Sequence, residues 1–148
     1  MNDVIMHAIN WYNKKLNFYP EYIIFLQPTS PNRKAKDILA SVKKIEKLKG
    51  NSLISVSEVK HYPCEYVLES NNKIKFVMKP PKKNGKQNFP KVFFIDGSIY
   101  ITKTKFFKKN QKLFDSNTIL YKQHNSDIID IDRDSDLNYF KYLVKKQS

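Results

Sequence analysis

The chain has 148 residues, of which 41% are hydrophobic, and a formal net charge of +13 at pH 7, which suits one globular domain that buries about 70% of its unfolded surface. A membrane span is excluded because no apolar run approaches the roughly 20 residues it requires, and no basic segment followed by a continuous apolar stretch indicates a secretory signal. Cys64 is the single cysteine, so an intrachain disulfide is excluded and a cytoplasmic location is expected.

The basic charge raises the hypothesis of a nucleic-acid binder. Arg33 and Arg133 are the only arginines, so lysines make up 25 of the 27 basic residues. Arginine reads guanine and stacks on bases, whereas lysine is mainly a solvated point charge. We therefore expect a solvated basic surface and no specific nucleic-acid partner, and a lysine-rich nucleic-acid binder is the third of three functional hypotheses.

A helix is predicted over residues 3–16 from the helical spacing of its apolar residues, and Pro20 separates it from an apolar strand over residues 22–26. The strand ends in a polar turn that carries Gln27, Thr29 and Ser30 between two prolines. Prolines stiffen such a turn, and open α/β sheets place ligands at the carboxyl ends of their strands. These three residues are therefore predicted to bind a ligand; the alternative is an ordinary turn in which Thr29 or Ser30 caps a helix.

The next elements are a helix over residues 35–48, with Gly50 at a plausible C-cap position, and a strand over residues 52–59. This strand, helix, strand order predicts an α/β fold with a right-handed crossover and a mostly parallel sheet. Short strands on either side of Asn71-Asn72 predict a hairpin, and residues 79–86 form a polar loop.

Two aspartates near the end of the chain, Asp130 and Asp132, are spaced by two after an extended segment and should project to one side. Two carboxylates on one face repel each other unless a cation compensates, and hard oxygen ligands suit Mg²⁺. The alternative is an acidic turn that caps a helix over residues 135–145. We favour capping for Asp134.

Several segments together resemble the acylneuraminate cytidylyltransferase (CMP-sialic acid synthetase) family. Members carry an LQPTSPLR segment, an SVxxVxxHxP strand and turn, an NGAIYI strand and an IDID segment; the corresponding segments here begin at Leu26, Ser55, Asp96 and Ile129. The resemblance covers nearly all of residues 3–146. It implies a three-layer Rossmann-like nucleotide-diphospho-sugar transferase fold with a mostly parallel sheet. It also implies a protruding β excursion at about residues 64–95 that builds a homodimer contact.

The resemblance also implies roles for individual residues. Asp130 and Asp132 would be catalytic and bind the Mg²⁺ that accompanies CTP, and Gln27 would contact nucleotide and sugar. Lys86 stands where the family's RQxLP segment has an arginine for the sugar carboxylate, and Asp96 replaces the asparagine of NGAIYI. The remaining sugar-pocket positions are Tyr100, Leu113 and Phe114.

One family motif has no counterpart in the sequence. Members begin with a strand and a basic glycine-containing loop of the form ARxGSKGxxxKN that holds the triphosphate, and no glycine precedes Gln27 here. The chain is therefore expected to be a single partial domain, incomplete at the amino terminus. The first hypothesis is a protein that by descent transfers CMP from CTP to a sialic acid or related nonulosonic acid, and that is either inactive alone or completed by a separate amino-terminal fragment. The second hypothesis is a noncatalytic binding or dimerisation module.

Overall fold

The computed structural model describes residues 1–59, 61–79, 90–123 and 128–147. These residues form two compact units, one of residues 1–56 and 95–148 and one of residues 57–94. In chain order the elements are α1 (Asn2–Leu16), β1 (Tyr22–Phe25), α2 (Ala35–Leu48), β2 (Ser52–Glu58), a 3-10 turn (Pro63–Glu65), β3 (Val67–Ser70), β4 (Lys73–Phe76), β5 (Phe93–Lys103), α3 (Thr104–Asn110), β6 (Ile119–Lys122) and α4 (Asp134–Gln147).

Among its described residues, the larger unit contains a four-stranded sheet in the order β1-β5-β2-β6. β1 runs antiparallel to β5, with Phe25 opposite Tyr100, and β2 runs parallel to β6. The sheet is thus mixed, whereas a mostly parallel sheet was predicted. The antiparallel strand is β5, which lies between β1 and β2, the two strands that α2 connects.

The sheet is packed on both faces. Ile99 and Ile101 of β5 belong to one hydrophobic cluster together with Ile45 of α2, and Tyr100, between them in sequence, packs against a second cluster that contains Ile5 of α1 and Phe107 of α3. Because successive residues of a strand face opposite sides, the sheet lies between α2 on one face and α1 with α3 on the other. This α/β arrangement is compatible with a Rossmann-like fold.

Helices α1, α2 and α4 begin and end close to the predicted positions, whereas α3 was not predicted. The residue in the left-handed conformation after α2 is Lys49, with φ 50°, so Gly50 is not needed there for its backbone freedom. Gly50 instead allows a close approach, since a Cβ atom at this position would collide with the side chain of Ile119. Within the described ranges, no helix combines the length and apolar character that a membrane span requires.

A buried polar pair connects α2 to β6. The Tyr121 hydroxyl donates a 2.9 Å hydrogen bond to Oδ1 of Asp37, and both residues are buried. Burial raises the pKa of Tyr121 to about 12, and the hydrogen bond to Asp37 and its charge contribute. The neutral phenol therefore stabilises the folded chain.

Tyr121→Phe should lower the free energy of unfolding by about 1–3 kcal/mol, because it removes the donor to a buried carboxylate. The folded-state pKa lies above the unfolded value, so the contribution is complete below about pH 10 and lost as pH rises towards about 12. The test is urea unfolding of both proteins across pH 8–12, with Tyr142→Phe on exposed α4 as the control. A difference that does not shrink with pH would contradict this role.

The smaller unit contains the predicted hairpin. β3 and β4 pair antiparallel, and Asn71 and Asn72 both have positive φ, 51° and 58°, the conformation that a two-residue type I′ turn requires. Every residue of both strands is exposed. Residues 80–89 lie outside the described part, so the homodimer role of the excursion at about 64–95 stays a prediction.

Candidate functional site

The loop that follows β1 packs against β5 through a glycine. Gly97 has a φ of 74°, and a Cβ atom built on it would lie 2.5 Å from Oε1 of Gln27 and 3.3 Å from Oγ of Ser30. A side chain at this position would therefore be strained and would collide with the Gln27 amide. Glycine in β5 thus lets the Gln27 side chain lie directly against the strand.

Ser30 is enclosed rather than presented at the surface. It is 1% exposed, and in the part of the chain that the structure describes its Oγ has no hydrogen-bond partner. Thr29 is half-buried. Of the three polar residues in the turn, Gln27 and Thr29 are therefore the accessible ones, and Ser30 lies beneath them.

Arg33 fixes the backbone of the same turn. Its Nη2 donates a hydrogen bond to the carbonyl oxygen of Gln27, and burial lowers the pKa of its guanidinium. This residue was not among the predicted site residues, although it occupies the place of the arginine in LQPTSPLR. It belongs to the site as the group that holds the Gln27 carbonyl.

A buried polar network lies beside Gln27. Asp96 Oδ1 accepts hydrogen bonds from the Ser55 hydroxyl and from the Ser98 backbone N–H, the latter at 3.0 Å, and the Ile99 N–H donates to Ser55 Oγ at 2.8 Å. All three polar side chains are buried. The network ties β2 to β5 at Gly97 and so fixes the backbone against which Gln27 lies. Sequence reasoning noted Asp96 only as a departure from the family and did not single out Ser55.

Tyr100 lies between aromatic residues at the same end of β1. Its ring is 6.0 Å from that of Phe25 and 6.2 Å from that of Phe114, with which it is stacked. Burial raises the pKa of Tyr100 above its usual value, and the negative charges of Asp96 and Asp130 raise it further. Tyr100 therefore carries a neutral hydroxyl within electrostatic reach of one of the predicted metal ligands.

The predicted aspartate pair lies on a segment bound to the polar turn. The Ile131 backbone N–H donates a 2.8 Å hydrogen bond to the Thr29 carbonyl oxygen. Ile129 is buried and Ile131 half-buried, whereas Asp130 and Asp132 are exposed. This alternation is what an extended segment with both carboxylates on its outer side would give.

The helix cap at this segment is Asp136 rather than Asp134. Asp136 Oδ2 accepts hydrogen bonds from the backbone N–H groups of Asp132 and Arg133, at 3.1 and 2.9 Å. Asp136 is the third residue of α4, where a carboxylate can reach back to the groups preceding the helix. Asp136 therefore has the capping role that was predicted for Asp134. Neither Asp130 nor Asp132 is needed as a cap.

The carboxylates of Asp130 and Asp132 suit a magnesium ion whose remaining ligands are waters or substrate phosphates. Across the described ranges, no three or more His, Cys, Asp or Glu side chains are grouped to hold a metal. Mg²⁺ is commonly bound by one or two carboxylates, with waters and substrate phosphates completing its octahedron. Two exposed carboxylates are compatible with that mode of binding and not with a closed protein cage.

Two predicted sugar-pocket residues are not placed in this group. Leu113 is buried with Ile5, Ile9 and Phe107 in the second hydrophobic cluster, so its side chain is a core residue, and only its neighbour Phe114 contacts Tyr100. Lys86 lies outside the described residues. At the carboxyl end of β1, Gln27 and Ser30 lie against Gly97, Tyr100 packs against Phe114 and is within electrostatic reach of Asp130, and Thr29 is hydrogen-bonded to the segment that carries Asp130 and Asp132.

Comparison with known proteins includes a distant similarity to a curated protein. No family model matches the chain. Over its full 148 residues the chain is 24% identical to the post-translational flagellin modification protein B of Campylobacter coli. The chain spans 61% of the length of that curated relative.

Proposed function

We propose that the chain is part of a sugar-nucleotide enzyme, a cytidylyltransferase that transfers CMP from CTP to an acidic 2-keto sugar and releases pyrophosphate. The sugar class is sialic acid or a related nonulosonic acid. The observation that carries the proposal is the convergence of Gln27, Tyr100 and Asp130 at the carboxyl end of β1. Activity would require a triphosphate loop, which these 148 residues do not contain.

The two carboxylates form the nucleotide side of the proposed site. Asp130 and Asp132 would hold Mg²⁺, which when bound neutralises charge on the CTP phosphates. The hydrogen bond between Ile131 and Thr29 keeps both carboxylates beside the turn that contains Gln27. Their part in the reaction is to position charge, because phosphoryl-type transfer depends more on alignment and electrostatics than on covalent help from the protein.

Tyr100 and Gln27 form the sugar side. The stacked pair of Tyr100 and Phe114 offers an apolar wall for the carbon skeleton and acyl groups of the sugar, and the neutral Tyr100 hydroxyl can donate a hydrogen bond. The Gln27 amide lies against Gly97, and from there it would orient the attacking anomeric hydroxyl. In the reaction that hydroxyl bonds to the α-phosphorus as the bond to pyrophosphate breaks.

The free edge of β1 supports completion by another polypeptide. β1 is the terminal strand of the described sheet, and Ile24 in it is 41% exposed. A cavity of about 330 Å³ beside it is lined almost wholly by apolar side chains of α1 and β1, Val4 and Tyr12 among them. An added strand would satisfy the unpaired backbone groups of β1 and cover this apolar surface.

The similarity to a flagellin modification protein is consistent with this assignment. Modification of a protein by an acidic sugar requires an activated donor, and a CMP-sugar is such a donor. Asp96 in place of an asparagine distinguishes this chain from the pattern of sialic acid enzymes.

One observation favours the second hypothesis, a dimerisation module. Within the smaller unit the hairpin exposes a set of large apolar side chains on two short strands: Val67, Leu68, Ile74 and Phe76. An exposed apolar set of this kind is typical of an interaction surface. We propose that it forms a homodimer contact, which is compatible with the enzyme hypothesis.

The proposed function is tested by pyrophosphate release from CTP in the presence of Mg²⁺ and a nonulosonic acid. The 148-residue chain alone should show none, because no triphosphate loop is present in its sequence. Addition of an amino-terminal polypeptide carrying the ARxGSKG-type loop should produce release that depends on the sugar. Robust release by the chain alone would refute the requirement for completion, and a stable complex of the two without any release would favour the binding module.

A further inference from the structure

A second cavity lies at the other end of β1 from the candidate site. It has a volume of about 490 Å³, and its lining includes Tyr19, Glu21 and three lysines, Lys103, Lys105 and Lys108. Lys103 is paired with Tyr22, the first residue of β1, whereas Tyr100 is paired with Phe25, the last. The volume falls in the range of small-molecule sites, about 300–1,000 Å³.

The walls of this cavity are bound to each other by hydrogen bonds. The Thr104 backbone N–H donates to the Glu21 carbonyl oxygen at 2.9 Å, and the Thr104 hydroxyl donates to the Pro20 carbonyl oxygen at 2.5 Å. Thr104 is itself buried. The segment before β1 and the start of α3 are thus joined by two hydrogen bonds at the wall of the cavity.

Two of the lysines are positioned by aromatic rings. Nζ of Lys108 lies 4.0 Å from the ring centroid of Tyr19, and Nζ of Lys103 lies 5.7 Å from that of Tyr22. A cation–π contact orients an ammonium group while leaving N–H donors available to a ligand. Among the described residues, no carboxylate lies within ion-pair distance of Lys103, Lys105 or Lys108, since His61 and Glu65 form the one ion pair found there.

We propose that this cavity binds a small phosphate monoester. The three lysines and the carboxylate of Glu21 leave a net charge of +2, which matches the dianion that a phosphate monoester forms at neutral pH, its second pKa being about 6. Lysine binds phosphate as a point charge. The cavity volume exceeds what a bare phosphate occupies, which leaves room for an organic body beside the ring of Tyr19.

The test is calorimetric titration of the full chain with glucose 6-phosphate at low ionic strength, with glucose as the uncharged match. Lys105→Gln and Lys108→Gln should each weaken binding about two- to fivefold, as expected for single exposed charges. Glu21→Gln should strengthen binding by a similar factor. Partial unfolding of the variant could only weaken binding, so a gain would be specific to the lost charge. Lys47→Gln, an exposed lysine of α2, should leave affinity unchanged.

Binding that is equal for glucose, or insensitive to Lys105, Lys108 and Glu21, would overturn the proposal. The headgroup of phosphatidate is also a phosphate monoester. Vesicles that contain phosphatidate therefore test whether the ligand is a lipid headgroup or a free small molecule. Vesicle binding that the same lysine substitutions weaken, without binding of glucose 6-phosphate, would assign the site to a lipid headgroup. Binding of glucose 6-phosphate without binding to the vesicles would assign it to the free ligand.

Discussion

Asp130→Asn and Asp132→Asn should each reduce the activity of the completed enzyme by on the order of a hundredfold or more, because a metal that lowers the barrier contributes several kcal/mol. Neither substitution should lower the thermal midpoint appreciably, since both side chains are exposed and contribute nothing to core packing. The measurement is initial rate of pyrophosphate release at saturating CTP across a Mg²⁺ titration, beside a thermal unfolding curve for each variant.

Two neighbouring aspartates provide the controls. Asp134→Asn should leave both activity and stability nearly unchanged. Asp136→Ala removes the acceptor of the Asp132 and Arg133 backbone N–H groups, so it should lower stability by about 1 kcal/mol with a smaller loss of activity. Equal and mild effects at Asp130, Asp132 and Asp134, or activity losses that follow unfolding, would return this cluster to the helix-capping interpretation.

Asp96→Ala should lower the free energy of unfolding by about 2 kcal/mol or more, because it leaves two buried donors, the Ser55 hydroxyl and the Ser98 N–H, without their acceptor. The network fixes β5 beside Gly97, so the Gln27 amide should also lose its support. Chemical denaturation measures the first effect, and the KM for the sugar in the completed enzyme measures the second.

Asp96→Asn is the matched control, since it can keep an oxygen acceptor in the Oδ1 position while it removes the charge and replaces the other carboxylate oxygen by an amide NH2. It should cost less than about 1 kcal/mol. It should also lower the pKa of Tyr100, which the Asp96 charge raises, and this shift can be followed by NMR of ring-labelled tyrosine. If Asp96→Asn destabilised the chain as much as Asp96→Ala, the charge and not the hydrogen-bond geometry would be the important property.

Local sequence patterns predicted most individual elements. The apolar spacing of residues 35–48 gave the bounds of α2, and Asn71-Asn72 predicted a turn that needs positive φ at both residues. The polar turn after β1 was likewise placed correctly at the end of a strand. In each case the determinant lies within a few residues of the element itself.

Features that depend on distant residues were not predictable in this way. The insertion of β5 between β1 and β2 is decided by packing across the whole sheet. The pairing of Ser55 with Asp96 joins residues 41 positions apart, and nothing in either segment indicates the other. Leu113 and Phe114 stand where the resembled family has two aromatic residues, and the sequence does not distinguish their roles. The tertiary fold does, because it places Leu113 in the core and Phe114 against Tyr100.

The most direct test of the proposed reaction is the fate of CTP labelled at its α-phosphate in the completed enzyme with Mg²⁺ and a nonulosonic acid. Transfer of the label to a product that contains both CMP and the acidic sugar, lost in Asp130→Asn, is the expected result. Label that remains in CTP, or appears only as free CMP irrespective of the sugar, would contradict the assignment of a cytidylyltransferase.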